Sequence, residues 1–262
     1  MAARTVMASS AVKLSRAVKG GSGLKGRGFA SVGIAPKVRL MPKDPEVISV
    51  QKQRYIDLLK DDTARLVIVQ GPAGSSKTHY AIKEGLSRLM SGKTDRIVIT
   101  KPLVTIDDTE SIGTLPGDKM SKMGIYFQHV FEILKDQMSK ASMDALISSG
   151  QIEFIPLGYI RGVTFRHSFV IGDEWQSTSP EITKAFLTRI GVDSKYVLTG
   201  DLSQNDRRAG VSGLSHFMTK LDMFPEVASV QKVTLTHEDI VRDPMVSTIL
   251  DIYNGTTSDI WR

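Results

Sequence analysis

The chain has no cysteine among its 262 residues. Disulfides, thiolate zinc sites and thiol catalysis are therefore excluded, and the composition fits a reducing compartment. No apolar run approaches the roughly 20 residues of a membrane-spanning helix, so no membrane partner is expected. Internal repeats are absent. The five histidines (His79, His129, His167, His216, His237) show no metal-ligand spacing, and structural or surface roles are expected for them. No Ser–His–Asp arrangement can be argued.

Acid is missing from one end of the chain. Residues 1–43 carry nine Lys or Arg and no Asp or Glu. That leaves 25 of the 34 basic residues against all 28 acidic ones on the remainder, a balance of −3. The formal charge of +6 is thus a property of the tail, and the rest of the chain is not a basic protein. Residues 1–43 are rich in Ala, Gly and Ser and are expected to be a disordered basic tail. Beside a plain solvated tail stand two functional readings: a basic arm touching phosphates, or an organelle presequence with Arg27-Gly28-Phe29-Ala30-Ser31 as its cleavage context. A cytoplasmic location is expected, or a mitochondrion or plastid for a eukaryotic source. Met41-Pro42-Lys43-Asp44-Pro45 marks the boundary to a single domain over 44–262.

What is present centres on Leu66-Val67-Ile68-Val69-Gln70-Gly71-Pro72-Ala73-Gly74-Ser75-Ser76-Lys77-Thr78. A short apolar run reads as a buried strand, and Ala81, Ile82, Leu86 and Leu89 space a helix. Strand, small-residue loop, Lys-Thr and helix make a phosphate-binding P-loop. Small residues at Gly71, Pro72, Ala73, Gly74, Ser75 and Ser76 let backbone N–H groups wrap a polyphosphate, and the helix N-terminus adds partial positive charge. Lys77 would reach the β- and γ-phosphates and the Thr78 hydroxyl would ligate Mg²⁺. Ser76 stands where the usual pattern has Gly, putting a Cβ in the loop.

Strands are expected at Arg96–Thr100, Ile152–Ile155, in the apolar run from Phe169, over Lys195–Asp201 as strand and edge, and at Val230–Leu235, alternating with helices. The class is α/β with a largely parallel sheet. An amphipathic helix with Val50, Tyr55, Ile56, Leu58 and Leu59 as its apolar residues precedes the P-loop, and Gln53 and Tyr55 on it are candidates to read and stack on adenine. Residues 103–117 form a long loop with Asp107, Asp108 and Glu110, running into a Leu115–Asp118 turn; a helix over about 119–138 and a second piece at 143–148 follow. Phe169-Val170-Ile171-Gly172-Asp173-Glu174 is an apolar run ending in two carboxylates, 96 residues after Lys77. Behind a P-loop this is a Walker B pattern, with Asp173 holding the Mg²⁺ shell and Glu174 orienting water. Thr178 or Ser179 caps a helix near Pro180. Trp175 is expected to pack. Gln204, after the Gly200-Asp201 strand end, is placed to contact a γ-phosphate. Helices are expected at 212–223 and 245–253. Arg242 is a candidate charge stabiliser, with a surface ion pair to Glu238 or Asp239 as its plain alternative.

Taken together, GPAGSSKT, RIVITKP, IGTLPGD, IEFIPLGYIRGVTF, FVIGDEWQ, FLTRIGVDSKYVLTGDLSQND, Ser212-Gly213-Leu214 and HEDIVRDPMV resemble the PhoH family of P-loop ATPases, in the family's order, from about Gln51 to Tyr253. The resemblance implies a RecA-like three-layer sandwich, a P-loop NTPase related to superfamily 1 helicase cores. It implies Walker A roles for Lys77 and Thr78, Walker B roles for Asp173 and Glu174, γ-phosphate sensing by Gln204, and a motif Arg at Arg242. Gln53 and Tyr55 resemble the adenine-side pair. Ser76, Lys101 and Gly172 depart from the family pattern, Gly172 replacing a bulky apolar residue. ATP and Mg²⁺ are the implied cofactors. The implied activity is Mg²⁺-dependent ATP hydrolysis coupled to RNA or single-stranded nucleic acid, in a family linked to phosphate starvation and RNA metabolism. A single RecA-like domain implies a homo-oligomer, with a hexameric ring among the forms expected. An ATP-binding switch with little hydrolysis is the rival reading, and a small-molecule kinase a third.

Overall fold

Period-2 alternation in the strands builds the sheet. In the computed structural model, Leu66 and Ile68 of β1 (Leu66–Gln70) join one hydrophobic cluster, and Val67 and Val69 the other. The structure describes residues 48–102, 124–160, 162–204 and 211–241, with Met245, Ile249 and Ile252 beyond them; the basic segment 1–43 lies outside. The other strands are β2 (Arg96–Thr100), β3 (Ile152–Phe154), β4 (Ser168–Gly172), β5 (Lys195–Gly200) and β6 (Val230–Thr234). Their order is β3-β2-β4-β5-β1-β6, and every pairing is parallel. β4 and β5 are buried at every position, as a strand covered on both faces must be.

Helices cover both faces, giving three layers. Against Val67, Val69, Ile97, Ile99, Phe169 and Ile171 pack α1 (Val50–Lys60), α2 (Lys77–Met90), α3 (Gln128–Gln137) and α4 (Lys140–Ser148). Against Val98, Val170, Tyr196 and Leu198 pack α5 (Pro180–Leu187) and α6 (Gly213–Asp222). The architecture is the RecA-like P-loop sandwich. α3 is shorter than the expected 119–138: Phe127 takes φ −104° and ψ 18°, off the helical values, and 119–123 lie outside the described residues. α4 starts at Lys140, three residues ahead of the expected start, with Ser139 as its cap. At α5 the cap is Ser179, which accepts from the Ile182 N–H. The expected helix at 245–253 is described only at Met245, Ile249 and Ile252, each helical.

Two buried cations tie the end of α1 to its neighbours, Lys195 to β5 and Arg88 to α2. Lys195 donates to the carbonyls of Leu58, Asp61 and Ala64 at 2.6–2.7 Å, and Arg88 to those of Leu59 and Lys60. Together they satisfy carbonyls that the end of α1 leaves open.

Three phenols, Tyr55 and Tyr196 buried and Tyr126 half-buried, make stability sensitive to alkali. Burial pushes the Tyr55, Tyr126 and Tyr196 hydroxyls well up, and the negative charge of Asp173 adds to the first two. The folded chain then keeps protons that the unfolded chain releases near pH 10.0. The stabilisation is full below that value and is lost progressively as pH rises from there through the raised folded values. The urea midpoint is expected to fall between pH 10 and pH 11. Tyr196→Phe should lessen the fall, since the Tyr196 hydroxyl has no partner among the described residues. A level midpoint at pH 11 would contradict this account.

Candidate functional site

Parallel pairing aligns the carboxyl ends of the strands. Gln70 stands level with Gly200 and Thr234, and Thr100 with Gly172. The P-loop leaves β1, the paired acids leave β4, and β5 lies between them, so all three converge on one edge. A cleft of ≈ 300 Å³ opens there, lined by Gly74, Lys77, Thr78, Asp173, Glu174 and Gln204 among others. A larger cavity of ≈ 640 Å³ beside α5 contains none of the candidate residues.

The loop's shape depends on two small-residue positions. A Cβ on Gly71 would lie 2.8 Å from both Cβ and the carbonyl oxygen of Leu235, so the loop starts in a gap that only glycine fits. Ser76, at the start of α2, takes φ 64° and ψ 21°, the left-handed region where glycine is at ease and an L-residue is strained. Ser76→Gly is expected to raise stability by up to about 1 kcal/mol, because the relief exceeds the entropy that glycine adds to the unfolded chain. Urea titration checks this, and a clear loss would show that the serine makes a compensating contact.

Lys77 Nζ folds over the loop, donating to the carbonyls of Gly71 (2.7 Å) and Pro72 (2.8 Å) and to Ser75 Oγ (3.3 Å). Thr78 Oγ1 donates to Asp173 Oδ1 at 2.7 Å, and Thr199 Oγ1 donates to the same oxygen at 2.5 Å. Asp173 is 2 % exposed, and its Oδ2 accepts no hydrogen bond among the described residues. An unpaired buried carboxylate oxygen is costly, and beside a threonine hydroxyl it is the hard-oxygen donor set that Mg²⁺ takes. The residues fit that ion.

Glu174 is exposed and left-handed at φ 53°, the kind of backbone strain that gathers at functional sites. Its Oε2 accepts from Gln176 Nε2 at 2.7 Å, while Gln176 Oε1 accepts the Asp201 N–H at 3.1 Å. Asp201 Oδ2 in turn accepts the P-loop N–H of Ala73 at 3.1 Å. A buried glutamine thus joins the exposed carboxylate to the P-loop through the end of β5. Gln204 is exposed at the rim, its N–H on the Asp201 carbonyl.

The adenine-side expectation needs correcting. Tyr55 is 0 % exposed and its hydroxyl donates to the Lys77 carbonyl at 2.8 Å, so its ring supports α2 and has no face left to stack on a base. Gln53 is exposed on α1 and donates to Asp57, away from the cleft lining. Arg242, Asp107, Asp108, Glu110 and the Leu115–Asp118 turn lie outside the described residues. Residue types alone missed Thr199, Gln176 and His129. The first is a polar residue inside an apolar strand, a signal that was present in the sequence. His129 reaches the cleft from α3, and no local pattern announces that.

Residues 46–254 match the family model described as PhoH-like protein. The chain belongs to the PhoH-like family. It is 35% identical over 213 residues to a PhoH-like protein of Bacillus subtilis, covering 81% of this chain and 65% of that one. Protein PhoH of Escherichia coli is 32% identical over 231 residues, covering 87% and 63%. The chain therefore spans somewhat less than two thirds of the length of these relatives. Among solved structures, a Pif1 helicase from Candida albicans is similar at TM-score 0.40 and 12% identity, over 80% of this chain and 44% of that one. As a PhoH-like protein with this loop, the chain is a nucleotide-binding P-loop protein.

Proposed function

We propose that the chain is a Mg²⁺-dependent ATPase coupled to RNA or single-stranded nucleic acid. The observation that carries the reading is the Thr78–Asp173 pair beside Lys77 in the cleft lining, with a buried Asp173 oxygen that accepts no hydrogen bond among the described residues. Loop amides and Lys77 bind the phosphates once Lys77 exchanges its carbonyl partners for phosphate oxygens. Thr78 and Asp173 would hold Mg²⁺, which supplies charge neutralisation on the β- and γ-phosphates. Glu174 orients a water for in-line attack, Gln176 fixes its carboxylate, and Gln204 meets the γ-phosphate at the rim. Arg242 is proposed to stabilise the transferred phosphoryl, from its own copy or a neighbour in a ring. Coupling to nucleic acid rests on family likeness, with the basic segment 1–43 proposed as an arm on phosphates.

The left-handed Ser76 favours a second reading, an ATP-binding switch that turns over slowly. Hydrolysis by the full chain, with and without Mg²⁺ and single-stranded RNA, separates the two. Mg²⁺-dependent turnover raised by RNA supports the motor. Turnover indifferent to RNA removes the coupling. Tight ATP binding without turnover selects the switch.

A further inference from the structure

Resting on that reading of the cation site, we infer that His129 is a ligand of the divalent cation held at Thr78 and Asp173, and that it tilts the site toward first-row transition ions. His129 projects from α3 into the cleft lining, with Nδ1 3.9 Å from the open Oδ2 of Asp173. That oxygen is buried and accepts from no described donor. Two neighbouring ligands of an octahedral ion, each bound at about 2.1 Å, stand about 3 Å apart, so a shift of about 1 Å by the exposed imidazole lets a single ion touch both atoms. No third acid, histidine or cysteine joins them among the described residues. The set is therefore one carboxylate, one hydroxyl and one imidazole, completed by phosphate oxygens and water.

The nitrogen decides the preference. Mg²⁺ favours oxygen, whereas imidazole suits the later first-row ions, whose affinity rises from Mn²⁺ to Co²⁺ and Ni²⁺. A site of oxygens alone would discriminate less. His129 is 58 % exposed and carries none of the core, so replacing it leaves the fold intact.

The test is pulsed EPR on the full chain with Mn²⁺ and a carbon-bridged, non-hydrolysable ATP analogue. A nitrogen coupling of imidazole type is expected in the wild type and in His79→Gln, which alters the other histidine of the cleft, and is expected to vanish in His129→Gln. The ratio of Co²⁺ to Mg²⁺ affinity, from competition titrations, should fall about tenfold in His129→Gln. Bound Mn²⁺ without that coupling, or a coupling that survives in His129→Gln, overturns the inference and leaves the ATPase reading standing. Failure of Mn²⁺ to bind with the analogue at all overturns both.

Discussion

Glu174→Gln is expected to lower ATP turnover by about 10²–10⁴-fold while nucleotide affinity stays near the wild-type value. The carboxylate is the exposed acid of the cleft, set at the end of β4 immediately after Asp173, the proposed cation ligand. Glutamine keeps the size and still offers an oxygen to Gln176 Nε2, so the local hydrogen bond and fold survive. What is lost is the negative charge proposed to orient and polarise a water. Lys77→Ala should behave differently, because it removes the charge proposed to bind phosphate and so should weaken affinity as well as turnover. Single-turnover hydrolysis beside equilibrium binding distinguishes the two variants. Turnover unchanged by Glu174→Gln would remove this acid from the mechanism.

The same two residues show which parts of the site are legible in a sequence. Lys77 and Glu174 are each fixed by a local pattern: an apolar run, a turn, and a charged residue at the run's end. Parallel strands then bring the ends together whatever the intervening chain does, so the motif spacing was enough. Tyr55 shows the opposite case. Its place beside the P-loop is readable, but which face of α1 turns inward is decided by packing against Lys77 and the Leu59 side of the core. An aromatic ring chosen for stacking was a core residue. His129 belongs to the same class of miss, since its approach to Asp173 depends on how α3 packs on α2. The strain at Ser76 lies between the two: the missing glycine is visible in the sequence, whereas its positive φ is visible only in the fold.

Gly172→Val is expected to destabilise the chain by about 1–3 kcal/mol, and most of that cost should disappear in a Trp175→Ala background. Gly172 ends β4 where the family resemblance leads one to expect a bulky apolar side chain. A Cβ there would lie 2.7 Å from Trp175 Cε3, 2.8 Å from Cζ3 and 2.8 Å from Leu198 Cδ2. The indole thus fills the volume a larger residue would occupy. Its ring is fully buried against Phe186 at 4.4 Å between centroids, with Nε1 on Thr183 Oγ1 at 3.1 Å. The left-handed Glu174 lies between glycine and tryptophan, at the turn that takes the chain from β4 to the indole. Trp175→Ala alone should cost about 3–5 kcal/mol through the cavity it leaves. Valine at 172 partly refills that cavity, so the two substitutions should couple by about 1–3 kcal/mol in urea titrations. Strict additivity would place the valine clash on Leu198 instead. Activity offers an independent readout, because Asp173 and Glu174 sit on the stretch of chain joining the two residues. In the single Gly172→Val variant, any shift that makes room for the side chain moves the carboxylates away from Thr78 and Gln176. Turnover should fall with stability in that variant and recover in part with the double substitution.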